Sequence, residues 1–208
     1  MKIVLTRPRG QNEELARRLR ETGHEVVCRP LIAIEALGDA PIDAAGYDWV
    51  VVTSVNGARE LRRRLRGRPK HVAAIGRATA EALGGADLVP RVSTQEGLLA
   101  ELPRPTGSVL FAGAEGARRL LVQELEADFL ALYRTVELTP GPSLEGDLVV
   151  LASASAARAF AAMGAALPVI SIGPQTTLAA RAGGATVVAE ARTHDLDGLV
   201  AAVAEVAR

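Results

Sequence analysis

The chain repeats itself at a spacing of about a hundred residues, which few folds accommodate. Val51-Val52-Thr53-Ser54-Val55-Asn56 returns as Val150-Leu151-Ala152-Ser153-Ala154-Ser155, an offset of 99. Ile75-Gly76-Arg77-Ala78-Thr79 returns as Ile172-Gly173-Pro174-Gln175-Thr176 at 97, and Glu96-Gly97-Leu98 as Asp197-Gly198-Leu199 at 101. Weaker partners join Ile3-Val4-Leu5 to Val109-Leu110-Phe111 at 106, and Ala33-Ile34-Glu35 to Thr135-Val136-Glu137 at 102. The period is too long for a solenoid. With 208 residues the chain has room for two domains of about 100 residues each.

Within each half, two kinds of segment alternate. Short β-branched runs predict strands at Lys2–Thr6, Glu25–Cys28, Trp49–Thr53, His71–Ile75, Val109–Ala112, Leu148–Leu151, Val169–Ile172 and Thr186–Val188. Near-continuous apolar runs such as Val50-Val51-Val52 suit strands buried on both faces of a parallel sheet. Helical spacing fills the gaps. Gln11–Thr22 carries Leu15, Ala16 and Leu19 on one face, acids early, arginines late and Gly23 as a stop. Val55–Arg66 repeats the plan, with Gly67 as its stop. This predicts an α/β protein with layered helices and sheets. Two extended stretches, Pro30–Glu35 and Tyr133–Leu138, each precede a segment rich in Gly, Pro and Asp (38–46 and 139–146). They suit a pair of linker strands; a single cut near Pro103-Arg104-Pro105 is the alternative division.

Composition removes several functions. Lys+Arg and Asp+Glu number 24 each and the isoelectric point is near 6.9, so there is no broad basic footprint for nucleic acid or anionic membrane. Aromatic residues are 3% of the chain, too few for a base-stacking platform. The single cysteine, Cys28, excludes an internal disulfide, and His24, His71 and His194 have no ligand-like spacing, so no metal site is expected. The apolar run at the N-terminus is too short for a signal sequence. No stretch reaches the ~18 apolar residues of a membrane span, and a cytoplasmic location is expected. Dinucleotide, Walker and nucleophile-elbow motifs are missing.

Polar residues instead gather at the predicted strand ends: Thr6-Arg7, Thr53-Ser54, Gly76 with Thr79, Ala112-Gly113, Ser153 with Ser155, and Gly173 with Thr176. Ligands of open parallel sheets bind outside the carboxyl ends of the strands. Helix N-termini there offer free N–H groups to carboxylates or phosphates. If two domains face each other, these turns line one cleft, and a neutral protein holds a polyanion with amides, hydroxyls and a few arginines. Each residue also has a plainer explanation. Ser54, Ser153 and Ser155 precede helices as N-caps; Thr79 and Thr176 cap or pack; Gly76 and Gly173 answer a turn that needs positive φ; Arg7 and Arg118 are solvated. Recurrence of the set in both halves favours a site.

These motifs resemble those of uroporphyrinogen-III synthases. The similarity runs through Val4-Leu5-Thr6-Arg7-Pro8, Asp48-Trp49-Val50-Val51-Val52-Thr53-Ser54-Val55-Asn56-Gly57 and Ala74-Ile75-Gly76-Arg77-Ala78-Thr79-Ala80. It continues through Leu132-Tyr133-Arg134-Thr135, Leu151-Ala152-Ser153-Ala154-Ser155-Ala156 and Ser171-Ile172-Gly173-Pro174-Gln175-Thr176. The resemblance implies two similar parallel-sheet, flavodoxin-like domains from an internal duplication, joined by a two-stranded β linker. One domain is 1–33 plus 139–208, the other 38–132, with linkers 34–37 and 133–138. It implies a hydro-lyase that closes hydroxymethylbilane into uroporphyrinogen III with inversion of ring D, using no cofactor and no metal. Tyr133 matches the family's linker tyrosine and is expected to assist departure of the hydroxyl. Arg7, Thr53, Ser54, Asn56, Thr79, Ser153, Ser155, Gly173 and Thr176 are expected to hold the acetate and propionate arms. The substrate is expected by hand-over from hydroxymethylbilane synthase, to a monomer with neither nucleic-acid nor membrane partner. The rival readings are a non-enzymatic two-domain small-anion binding protein and a binder of flavin mononucleotide.

Overall fold

The computed structural model describes residues 1–138 and 144–207; part of the second Gly/Pro-rich segment, 139–143, lies outside the described residues. In chain order the first elements are β1 (Lys2–Leu5), α1 (Glu13–Glu21), β2 (Glu25–Cys28), β3 (Ile32–Ala36) and β4 (Ile42–Asp43). Next come β5 (Trp49–Val52), α2 (Val55–Arg64), β6 (Leu65–Arg66), β7 (His71–Ala74), α3 (Arg77–Leu83) and α4 (Gln95–Glu101). Then follow β8 (Val109–Ala114), α5 (Leu120–Leu125), β9 (Asp128–Glu137), β10 (Leu148–Leu151) and α6 (Ala154–Ala162). The last are β11 (Val169–Ser171), α7 (Pro174–Ala182), β12 (Val187–Glu190) and α8 (Leu196–Val206). The chain forms two compact units, Met1–Ala33 with Val136–Arg208, and Ile34–Thr135. It passes from the first to the second within β3 and returns within β9.

The first unit holds a parallel sheet in the order β12-β11-β10-β1-β2. Numbered within the unit this is 2-1-3-4-5 read from β2, the flavodoxin-like order. Alternate residues of each strand face opposite layers. Ile3, Leu5, Leu148 and Val150 pack with Leu15 and Leu19 of α1 and Leu199 and Val203 of α8. Val4, Val149 and Leu151 pack with Ala156, Ala157 and Phe160 of α6 and Ala180 of α7. Both faces are covered, which is why these strands lack polar alternation.

The second unit repeats that order with the chain cut elsewhere. Its sheet runs β3-β9-β8-β5-β7, and β7-β5-β8-β9 corresponds to β11-β10-β1-β2. The matching strands are those the repeat pairs: β5 with β10, β7 with β11 and β8 with β1. The place of β12 is taken by a single parallel bridge between Ala73 and Leu88. Val50, Val52, Leu110 and Ala112 pack with Ala58 and Leu61 of α2. Trp49, Val51 and Phe111 face Leu98 of α4 and Leu121 of α5. Among the described residues no helix is long and apolar enough to cross a membrane.

Three local expectations are corrected. The helix expected over 55–66 stops at Arg64, because Leu65–Arg66 pairs with Ile42–Asp43 as a small parallel ladder. Arg64 itself is 7% exposed. Its Nε donates to Ala40 O at 2.9 Å and its Nη1 to Leu37 O at 3.2 Å. The second extended stretch begins at Asp128 rather than Tyr133 and pairs in parallel with β8. It also lies beside β3: Leu37 N–H donates to Leu132 O and Leu138 N–H to Leu31 O, the crossed pattern of antiparallel strands. Gly76 and Gly173 have φ of −169° and 169°, extended backbone open to any residue, so neither answers a need for positive φ.

Candidate functional site

In a sheet of this order the strand connections reverse direction between two central strands, leaving a crevice at their carboxyl ends. In the second unit these strands are β5 and β8. After Val52 the chain turns through Thr53 to Ser54, the N-cap of α2, and Asn56 lies in the first turn. Ser54 Oγ accepts the Gly57 N–H at 3.0 Å, the ordinary capping bond. The same oxygen lies 2.9 Å from the Tyr133 hydroxyl, contributed from β9.

A register slip brings the tyrosine there. Gly113 pairs with Ala131, but Ala114 pairs with Tyr133, leaving Leu132 as an extra residue. A regular strand sends neighbours to opposite faces; across the bulge Leu132 and Tyr133 join the same buried cluster. Tyr133 is 6% exposed, and burial pushes its phenol above the usual tyrosine value, partly opposed by the bond to Ser54. At neutral pH it is therefore protonated, a hydrogen-bond donor. Thr79 follows the Gly76 turn at the end of β7 and is 4% exposed, packed into the unit.

The first unit builds the same turns from β1, β10 and β11. Ser153 caps α6, accepting the Ala156 N–H at 3.1 Å; Ser155, read from the sequence as a second cap, lies inside the first turn of that helix instead. Gly173 caps α7, with Pro174 opening the helix and Thr176 4% exposed behind it. Thr6 at the end of β1 is buried and donates to Val150 O of β10 at 2.8 Å, tying the two reversal strands together. Arg7 follows, and its carbonyl accepts from Asn12 Nδ2 at 2.9 Å.

A Cβ placed on the glycines that the repeat keeps would meet two kinds of neighbour, movable side chains and fixed backbone. A Cβ on Gly76 would meet Ser93 Oγ at 3.1 Å, and one on Gly173 would meet the His194 ring at 2.8 Å. Ser93 and His194 stand before equivalent capped helices. Thr94 caps α4 through Gly97 N–H, and Asp195 caps α8 through Gly198 N–H. At Gly97 and Gly198 a Cβ would lie 2.1 Å from the carbonyl oxygens of Val92 and Thr193. The motif Glu96-Gly97-Leu98 and its partner thus recur for backbone packing.

The structure gathers the predicted residues as two sets, one per unit. Thr53, Ser54, Asn56, Thr79 and Tyr133 belong to the second; Arg7, Ser153, Ser155, Gly173 and Thr176 to the first. Ser54 and Tyr133 are joined directly. A cavity of about 540 Å³ at the ends of β1 and β2 contains none of them; Arg9, Asn12, Cys28, Arg29 and Met163 line it. The sequence signal for it was Cys28-Arg29-Pro30 closing a strand. No group of three or more His, Cys, Asp or Glu among the described residues is arranged to hold a metal ion.

Two doubly wound units, each presenting capped helix N-termini at the reversal of its sheet, define an α/β protein of duplicated flavodoxin-like construction. Residues 13–201 match the family described as Uroporphyrinogen-III synthase HemD, and the chain belongs to that family. It is 26% identical to the uroporphyrinogen-III synthase of Synechococcus elongatus, over 99% of this chain and 95% of that protein. A putative uroporphyrinogen-III synthase from Archaeoglobus fulgidus is 36% identical over 66% of this chain and 62% of its own length. The crystal structure of a mutant uroporphyrinogen III synthase from the extremely thermophilic bacterium Thermus thermophilus superposes with a TM-score of 0.64 at 17% identity, covering 100% of this chain and 98% of that one.

Proposed function

We propose that the chain cyclises hydroxymethylbilane to uroporphyrinogen III, inverting ring D and releasing water, as a hydro-lyase. Family membership across 13–201 carries this reading. The chemistry suits a site poor in acids and bases. The pyrrole nitrogen expels the hydroxymethyl oxygen with little help, giving an azafulvene in its N-protonated, azafulvenium form. Unassisted, the chain then closes end to end without inversion. The enzyme's task is to fold the bilane so that the azafulvene meets the substituted carbon of ring D, forming a spiro intermediate that fragments and recloses. Such control is mainly positioning.

The substrate carries acetate and propionate arms. Helix N-termini capped by Ser54, Ser153 and Gly173 supply N–H groups suited to carboxylates, with Thr53, Asn56, Thr79, Ser155, Thr176 and Arg7 beside them. Tyr133, buried and protonated, is the donor for the departing hydroxyl. The test is to supply fresh hydroxymethylbilane to the purified protein and separate the oxidised products by isomer. Predominantly type III uroporphyrin is expected. Type I alone, at the rate of the protein-free control, overturns the assignment.

A further inference from the structure

We propose that Ser54 is a positioning residue for Tyr133: its hydroxyl donates to the phenol oxygen, leaving the phenol hydrogen for the substrate, and it does not itself bind an arm. The proposal rests on the reading above that Tyr133 is the acid. A serine hydroxyl has one hydrogen and two lone pairs. One lone pair is taken by the Gly57 N–H at 3.0 Å, because Ser54 caps α2. The phenol oxygen 2.9 Å away takes the next place. A phenol that donated to Ser54 would have its only hydrogen engaged and none to give.

The cap also decides the direction. A hydroxyl that accepts an N–H at the positive end of a helix is polarised towards donating its own hydrogen. In the reacting step the phenol O–H bond breaks and its proton passes to the hydroxyl oxygen of the bilane. The C–O bond breaks, water leaves, and the pyrrole nitrogen lone pair completes the azafulvenium cation. The negative charge stays on the phenol oxygen, where the Ser54 hydrogen bond strengthens. Ser153 caps α6 in the same manner through Ala156, but Tyr133 stands on Ser54, so the two serines of the repeat have different work.

Two measurements on the full chain test this. In the first, Ser54→Ala lowers kcat about tenfold or more, the range of a hydrogen bond to a charged group, with KM unchanged. Ser54→Thr, which keeps cap and hydroxyl, retains that activity, and Ser54→Ala adds no further loss to Tyr133→Phe. A raised KM at unchanged kcat, or an equal loss in both backgrounds, overturns the proposal while leaving Tyr133 as the acid. Full activity of Tyr133→Phe instead removes the acid assignment itself. The second measurement needs no substrate. The chain has two tyrosines, so in a Tyr47→Phe background phenolate absorbance reports Tyr133 alone. Ser54→Ala is expected to raise its ionisation midpoint; a midpoint unmoved or lowered overturns the hydrogen-bond direction.

Discussion

Replacing Gly198 with alanine is expected to destabilise the first unit, although helix propensity argues the reverse. Alanine is better than glycine inside a helix by about 1 kcal/mol. The added Cβ, however, would stand 2.1 Å from Thr193 O, a backbone atom with no rotamer to escape through. Reaching an ordinary contact requires the start of α8 to move away by about 1 Å. That lengthens the Gly198 N–H bond to Asp195 Oδ1 from 2.8 Å beyond hydrogen-bond range. Overpacking costs about 1–3 kcal/mol and a lost cap about 1 kcal/mol. After the propensity gain the net loss is about 2 kcal/mol. Gly173→Ala is the contrast: its neighbour is the exposed His194 ring, which swings aside, and its extended backbone suits alanine. Its stability is expected within about 0.5 kcal/mol of the parent. Denaturant titrations followed by circular dichroism compare the midpoints at equal slope. A Gly198→Ala midpoint at or above the parent's would refute the reasoning.

Asp195 caps α8, and the Gly198 N–H, then the Thr193 hydroxyl, hold its carboxyl below the usual value. Its contribution is therefore complete above about pH 3.9, the ordinary aspartate value, and disappears as pH falls through the lower folded value. Asp195→Asn, still a good cap, is expected to lose less stability than the parent on acidification below about pH 4; parallel acid titrations contradict this if the curves stay equidistant. Burial raises the Tyr133 phenol, so kcat is expected to show no tyrosine-linked fall below about pH 10, and a pH–rate profile with that fall argues against Tyr133 as acid. Arg64→Ala removes donors from the carbonyls of Leu37 and Ala40 and is expected to cost about 2 kcal/mol; a change under about 0.5 kcal/mol in denaturant unfolding would show those bonds to be replaceable by water.

Central strands were legible because both faces are buried, so Val50-Val51-Val52 and Leu148-Leu151 announce themselves without alternation. The helix stop at Gly23 was legible too, since its φ of 85° is one that glycine adopts freely. The start of β9 was not. Asp128-Phe129-Leu130-Ala131-Leu132 has no β-branched residue, and its strand identity comes from pairing with β8. The burial of Arg64 depends on contacts with Leu37 and Ala40, on a segment well before it and beyond any local pattern. At the candidate site the N-cap serines could be read from composition and position. The Ser54–Tyr133 contact could not, because it joins residues 79 apart through a one-residue bulge that no periodicity foretells.

The interrupted first unit has a consequence for how the protein emerges from the ribosome. When Thr135 has been made, every sheet partner in the continuous second unit exists, while β1 still lacks β10, its neighbour through Ile3 and Leu148. The middle of the chain is thus able to close before the ends meet. Once closed, its entry and exit are fastened side by side by the bond from Leu37 N–H to Leu132 O. A tether of about a hundred residues between the N-terminal segment and its late-arriving partners then behaves as a short one, and the entropy of bringing them together falls accordingly. The folded insert works as a splice, letting a sheet written in two distant pieces assemble almost as if it were contiguous.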